Sequence, residues 1–394
     1  MRHWLNFFSK KEEEIPPVLD IGTSSVKGLI LKRDKKGGVS VLTGSLAYYD
    51  PFSVFTGGQF EREVIERAVS KVVSDLEKKI GQKLKGKKAI VGMPPDIFVA
   101  QIVSQTYRRE KRGPINKSEA KKIIDKIQEE GKRNACQIYF KERGLLPSHL
   151  IVIGLKILRV RVDGYPVSDI VGLEGKRLEF SLLVTILPES YIEEETKGFS
   201  PFLILGEMGF EILQLTHEAE GLIGFLPQKP DGLFLDVGGE KTRIFLAKEG
   251  ILEKMGEFKA GANSFSLLLS EDLGLLENES RDLMHRYATG QLTEQSSQRI
   301  REFFEEAKRS WFSLLKERLK KMGLGIFPSE IFIFGGGAVL PEIRRVLENG
   351  NWEEISFLGQ PKARILKPSD FLGRERVPLL VDDPQYLSAL LLAV

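Results

Sequence analysis

Cysteine is almost missing from this chain. Cys136 is the only one among 394 residues, which excludes a disulfide within the chain and any cysteine-ligated zinc site, and fits a reducing compartment. Long apolar runs are missing too. None approaches the roughly 20 residues that span a bilayer, and the first residues carry no signal-peptide apolar stretch, so the expected location is the cytoplasm. Charge imbalance is also absent: 58 Lys and Arg against 55 Asp and Glu leave +3, too little to make nucleic acid an expected partner. The basic runs Lys78 to Lys88 and Arg108 to Arg112 read as solvated helix ends and loops. What is there is an ordinary globular composition, 42% hydrophobic and 29% charged. The chain is too long for one core, so two domains or a two-lobed body is expected.

Three glycine turns organise it. Val18 to Leu31, VLDIGTSSVKGLIL, reads as strand, tight polar turn and strand. Gly22 lets backbone approach a ligand closely. Thr23, Ser24 and Ser25 offer hydroxyls and successive N–H groups to phosphate oxygens, and Asp20 is a carboxylate suited to holding Mg²⁺ through its waters. Leu233 to Leu246, LFLDVGGEKTRIFL, repeats the design: Asp236 ends a strand, and Gly238 and Gly239 enter the turn. The duplication implies two related lobes, each presenting a phosphate-binding hairpin to one cleft. Ile331 to Ile343, IFIFGGGAVLPEI, follows an apolar strand with three glycines and opens a helix near Pro341. Bare backbone there accommodates a planar base or ribose.

In that order and at that separation, the three turns resemble the actin-like ATPase superfamily, which also contains sugar kinases and DnaK-type chaperones. The resemblance implies an α/β, two-lobed, ribonuclease H-like fold that binds ATP and Mg²⁺. Asp20, Gly22, Thr23, Ser24, Ser25 and Lys27 match the first phosphate loop. Asp236, Gly238, Gly239 and Thr242 match the second, and Gly335, Gly336, Gly337 and Ala338 the adenosine loop. Asp20 and Asp236 are the implied metal-side carboxylates. The stretch Val162 to Glu179, VDGYPVSDIVGLEGKRLE, resembles the bacterial division protein FtsA: a DG turn, a loop with proline, then a GLxGxRLE strand entry. It points to the FtsA/PilM branch, whose first lobe carries an inserted α+β subdomain, 1C. The expected division is a tail over 1–14, a first-lobe core (1A) over 15–96 and 189–228, and 1C over 97–188. The second-lobe core (2A) takes 229–260 and 330–394, with a helical subdomain (2B) over 261–329.

Along the chain, Glu63 to Ile80 has the apolar spacing of an amphipathic helix, and Ile97 to Thr106 reads as a strand. Asn116 or Ser118 is a plausible helix N-cap. In the helix RIREFFEEAKRSWFSLLKERLKKMG, residues Ile300, Phe303, Phe304, Ala307, Trp311, Leu314, Leu315 and Leu319 form one stripe, best explained as core packing. At the N-terminus, Trp4, Leu5, Phe7 and Phe8 beside lysines offer a peripheral membrane contact, or else a segment packing on its own domain. FtsA proteins usually continue into a C-terminal amphipathic membrane helix after the closing helix; DDPQYLSALLLAV resembles the closing helix itself. Membrane contact would therefore fall to the N-terminal aromatics or a partner.

The second loop departs from its pattern. Where the superfamily reads DIGGGTTD, this chain has DVGGEKTR: Glu240, Lys241 and Arg243 replace glycine, threonine and aspartate. A carboxylate at 240 crowds phosphate unless the turn moves or Lys241 pairs with it. Arg243 in place of a carboxylate removes a group that orients Mg²⁺-bound water. In the helical subdomain Arg281 and Met284 stand where FtsA-like proteins hold the ribose with Glu and Lys. His217, Glu218 and Glu220 fall where the superfamily orients the attacking water, or where a surface glutamate starts a helix. Nucleotide binding with weak or absent ATPase activity is expected. The leading function is an FtsA-like adaptor that binds ATP, forms filaments with itself and links a division ring of an FtsZ-like protein to the membrane. The alternative is a PilM-like scaffold for type IV pilus or secretion machinery that binds the tail of a membrane protein. A sugar or acetate kinase is the third reading, disfavoured by the altered loop.

Overall fold

The computed structural model describes residues 13–49, 61–84, 86–192, 200–226 and 230–393. The apolar residues Trp4, Leu5, Phe7 and Phe8 lie outside these. Strands β1 (Glu13–Glu14), β2 (Val18–Ile21), β3 (Ser25–Arg33) and β4 (Val39–Tyr48) come first, then helix α1 (Arg62–Ile80) and strand β5 (Lys88–Gly92). β2, β3 and β4 form an antiparallel meander, and β5 adds parallel to β2. α1 lays Val64, Ile65, Ala68, Val69, Val72, Val73 and Leu76 on this sheet, each apolar side chain gaining about 1.5–3 kcal/mol by leaving water.

The chain then leaves the sheet. Strand β6 (Val99–Arg108), helix α2 (Lys117–Arg143), and strands β7 (Leu150–Val162), β8 (Tyr165–Val167) and β9 (Arg177–Pro188) make a separate sheet, ordered β6-β9-β7-β8. β6 starts two residues later than its apolar pattern suggests, because Ile97 and Phe98 close a turn onto the Pro94 carbonyl. Asn116, not Ser118, caps α2, accepting from the Glu119 N–H. The DG turn has a physical reason: Asp163 Oδ1 accepts from Lys176 N at 3.1 Å and Arg177 N at 2.8 Å, fixing the entry to β9. Within the basic run, Arg109 is an internal anchor rather than a solvated charge, bonded to Glu119 and to the Gly113 and Gly175 carbonyls.

Helix α3 (Pro201–Glu207) and strand β10 (Glu211–Leu215) complete the first sheet, β10 running parallel to β5, and helix α4 (Glu218–Phe225) leads across. The second lobe repeats the plan with β11 (Gly232–Val237), β12 (Thr242–Lys248) and β13 (Ile251–Phe258), the helices α5 (Ala262–Leu273), α6 (Glu277–Ala288) and α7 (Glu294–Met322), then β14 (Glu330–Phe334), α8 (Pro341–Asn349) and β15 (Lys362–Ile365). Its strand order, β13-β12-β11-β14-β15, copies the first lobe's β4-β3-β2-β5-β10, antiparallel meander and parallel pair included. In the α7 stripe Ile300, Phe304, Ala307, Trp311, Leu315 and Leu319 are buried in the second-lobe core, with Phe303 and Leu314 packed against it. A short helix α9 (Ser369–Leu372) precedes the closing helix α10 (Leu387–Leu391). Between the lobes α4 crosses α10 so closely that a Cβ on Gly221 would stand 1.7 Å from the Leu391 carbonyl oxygen. Only glycine permits that backbone approach. The chain has the two-lobed, actin-like ATPase fold with an α+β unit inserted in its first lobe.

Candidate functional site

The two Asp–glycine hairpins face each other across a cavity of about 510 Å³ between the lobes. Although some 215 residues separate them in sequence, their turns touch, with Glu240 N donating to Thr23 Oγ1 at 3.3 Å. Asp20, Gly22, Thr23, Ser24, Ser25 and Lys27 line the cavity from the first lobe, and Asp236, Gly238, Gly239, Gly335 and Gly336 from the second. Thr242, Gly337 and Ala338 are among the expected residues and stand behind the wall instead. The Thr242 hydroxyl is fully buried, donating to Ala260 O at 2.7 Å and accepting from Trp311 Nε1 at 2.9 Å. A Cβ on Gly337 would meet Val237 at 2.5 Å, so this glycine serves packing. Gly335 has φ +88 and would place a Cβ 2.2 Å from Asp236 Oδ1. Of the three glycines only Gly336 has open space in front of it.

Each hairpin places a cation directly opposite its aspartate. In the β2–β3 ladder Asp20 faces Lys27, and in β11–β12 Asp236 faces Arg243. Both pairs are seven residues apart and both close into ion pairs. Lys27 Nζ lies 3.0 Å from Asp20 Oδ2, which also accepts from Ser388 Oγ of α10 at 2.8 Å. Burial pushes the Asp20 carboxyl up, but Lys27, Ser388 and Arg243 outweigh it and hold the group below its ordinary value. Burial likewise opposes charge on Lys27, and Asp20 reverses that. Arg243 Nη2 reaches Asp236 Oδ2 at 2.6 Å and Glu218 Oε2, on α4 of the first lobe, at 2.7 Å. The guanidinium is held charged by these two carboxylates despite its burial. Burial drives the Glu218 carboxyl well above its ordinary range, Arg243 opposing and the neighbouring aspartates adding. His217 is kept neutral by burial and by Arg243; its Nδ1 accepts from Ala219 N and caps α4.

These contacts correct several expectations. Lys241 does not pair with Glu240: its ammonium lies 2.6 Å from Asp96 and 3.0 Å from Glu257, bridging to the first lobe. Glu240 turns outward and accepts from Asn263 Nδ2. Glu218 is buried and tied to Arg243 rather than lying free on the surface, and Glu220 pairs with Lys156. Arg281 lines the cavity roof, donating to Tyr49 O at 2.9 Å and lying over the Tyr48 ring, while Met284 lines it beside. The assignment of Mg²⁺ to Asp20 and Asp236 does not fit. The Oδ2 of each already accepts from an internal cation, and among the described residues no group of three or more His, Cys, Asp or Glu side chains is placed to hold a metal. Sequence reasoning missed Ser388, Tyr48 and Asn263 altogether, and read Arg243 only as a lost carboxylate. The repeated seven-residue spacing from aspartate to cation was the available signal.

No family model and no curated protein matches the chain. Among solved structures it is similar to a chain of a PilM–PilN type IV pilus biogenesis complex, with a TM-score of 0.68 at 14% identity over 96% of this chain and 97% of that one. Weaker likenesses are to the ethanolamine utilization protein EutJ from Carboxydothermus hydrogenoformans, TM-score 0.46 at 15% identity over 98% and 91% of the two chains, and to a Bacteroides thetaiotaomicron protein with an actin-like ATPase fold, TM-score 0.41 at 9% identity over 99% of each. Among the described residues no helix is long and apolar enough to cross a membrane.

Proposed function

We propose that this chain is a nucleotide-binding scaffold of the PilM type. It would hold an adenine nucleotide between its lobes and the cytoplasmic tail of a membrane protein in type IV pilus or secretion machinery. The observation that carries this reading is the end-to-end likeness to a chain of the PilM–PilN complex, inserted subdomain included. The cleft supports the nucleotide: two glycine turns converge on it, the first offering the hydroxyls of Thr23, Ser24 and Ser25, and the open backbone of Gly336 faces it. Phosphoryl transfer is disfavoured, because it depends on placed metal and charge and Arg243 neutralises the carboxylates that would supply them. The reading as an FtsA-like filament adaptor shares this fold, and the Val162 to Glu179 loop is what favours it.

The test is a titration with a fluorescent ATP analogue, comparing the protein with Gly336→Trp, which fills the cleft. Saturable binding lost in the variant, phosphate release at background, and capture of a pilus membrane-protein tail peptide are expected. ATP-dependent pelleting without tail capture would move the assignment to the filament adaptor. Absence of nucleotide binding would overturn the cleft's role.

A further inference from the structure

We propose that the cleft carries its own cations in place of a divalent metal, so that an anionic ligand is taken metal-free, with Lys27 and Arg243 neutralising the carboxylates that a metal would need. For its ligand this rests on the nucleotide reading; for its cations it does not. Asp20 and Asp236 line the inner wall, and a third buried carboxylate, Glu218, lies behind Arg243. Lys27 takes the first at 3.0 Å, and one Arg243 nitrogen takes the other two at 2.6 and 2.7 Å. Both cations sit on β-strands, directly opposite an aspartate in the ladder, so their positions are fixed by backbone register and not by a mobile loop. Arg243 also spans the lobes, joining β12 to α4.

A hydrated divalent ion arriving here meets carboxylates already satisfied and two like charges a few ångströms away, in a buried setting where repulsion is weakly screened. It must displace a guanidinium whose fork suits two carboxylate acceptors. An anion meets the hydroxyls of Thr23, Ser24 and Ser25, which line the cavity, beside carboxylates whose charge Lys27 and Arg243 already offset. The second hairpin has thus acquired the aspartate–cation device of the first.

The experiment has two arms. In the first, the fluorescent ATP analogue is titrated in excess EDTA and in Mg²⁺. Dissociation constants within about threefold of each other, or tighter in EDTA, are expected; binding at least tenfold weaker in EDTA would overturn the proposal. In the second, Mn²⁺ alone is followed by water-proton relaxation, without nucleotide. Wild type should show no cleft site, and Arg243→Asp, which frees Asp236 and Glu218 and adds a further carboxylate beside them, should gain one. A Mn²⁺ site in wild type that Asp236→Asn abolishes would overturn the inference. Should Arg243→Asp not fold, Arg243→Gln removes the charge while keeping bulk, and a gained Mn²⁺ site is again expected; no gain in a folded variant counts against the idea. Loss of nucleotide binding in both buffers, with the Mn²⁺ results as expected, would sink the nucleotide reading and leave the internal cations standing.

Discussion

The two lobes are built from one plan and finished differently. Each sheet starts with an antiparallel meander whose first hairpin places an aspartate opposite a cation, and each adds two parallel strands on the other side. They differ in reach. Lys27 closes a pair within its own hairpin and meets the closing helix through Ser388, whereas Arg243 bridges its hairpin to α4 of the opposite lobe. Lys241, Arg281 and Arg143 add three further bonds from one lobe to the other, to Asp96, to the Tyr49 carbonyl and from the insert to Glu257. The first hairpin closes its ion pair on its own two strands and reaches beyond them through the Ser388 hydroxyl. The second is a latch. That asymmetry gives the charges of the second turn their place: Lys241 and Arg243 join the lobes.

The largest way to break the comparison is to remove each cation in turn. Arg243→Met strands two buried carboxylates, and breaking a buried pair costs about 3–5 kcal/mol; the upper end is expected here. Lys27→Met leaves Asp20 with its hydrogen bond from Ser388, so the lower end, about 3 kcal/mol, is expected. Urea unfolding midpoints measure both, provided the slope is unchanged. Equal losses would mean that Arg243 gains nothing from Glu218 and that the latch is only a second local pair.

Both hairpins are readable as strands and turns; the partners that satisfy their charges are not, because of the distance over which those partners lie. Strand, glycine turn and strand are local patterns, so both hairpins, α1, α7 and the glycine turn before Pro341 follow from spacing alone. The duplicated sheet follows from the duplicated hairpin. Asp20, however, meets Ser388 across 368 residues, and Lys241 meets Asp96 rather than its neighbour Glu240. No periodicity reports such partners. The metal assignment failed for this reason: a lone aspartate at a strand end looks free until its opposite strand is placed.

A smaller difference lies one rung beyond each aspartate. Ile21 faces Val26 in the first lobe, and Val237 faces Thr242 in the second. The threonine hydroxyl links Trp311 to the Ala260 carbonyl, tying α7 and the entry to α5 to the hairpin. Thr242→Val copies the first lobe's residue and leaves a buried indole N–H and a carbonyl unpaired, at a cost of about 2 kcal/mol. Calorimetric unfolding reads the change. A neutral result would show that α7 is held by its apolar stripe alone.

The smallest change in stability is expected where the equivalent loops diverge most. After β5 the first lobe turns through Met93, Pro94 and Pro95 into the inserted subdomain, whereas after β14 the second turns through Gly335, Gly336 and Gly337 into α8. The outer two glycines are fixed by the closeness of Asp236 and Val237, and the middle one meets nothing within 4 Å. Gly336→Ala should therefore leave unfolding within about 0.5 kcal/mol of wild type. Its methyl group enters the cleft, so the ATP analogue should bind several-fold more weakly while the protein stays as stable. Loss of stability without loss of binding would place the ligand elsewhere and make this glycine, like its two neighbours, a packing residue.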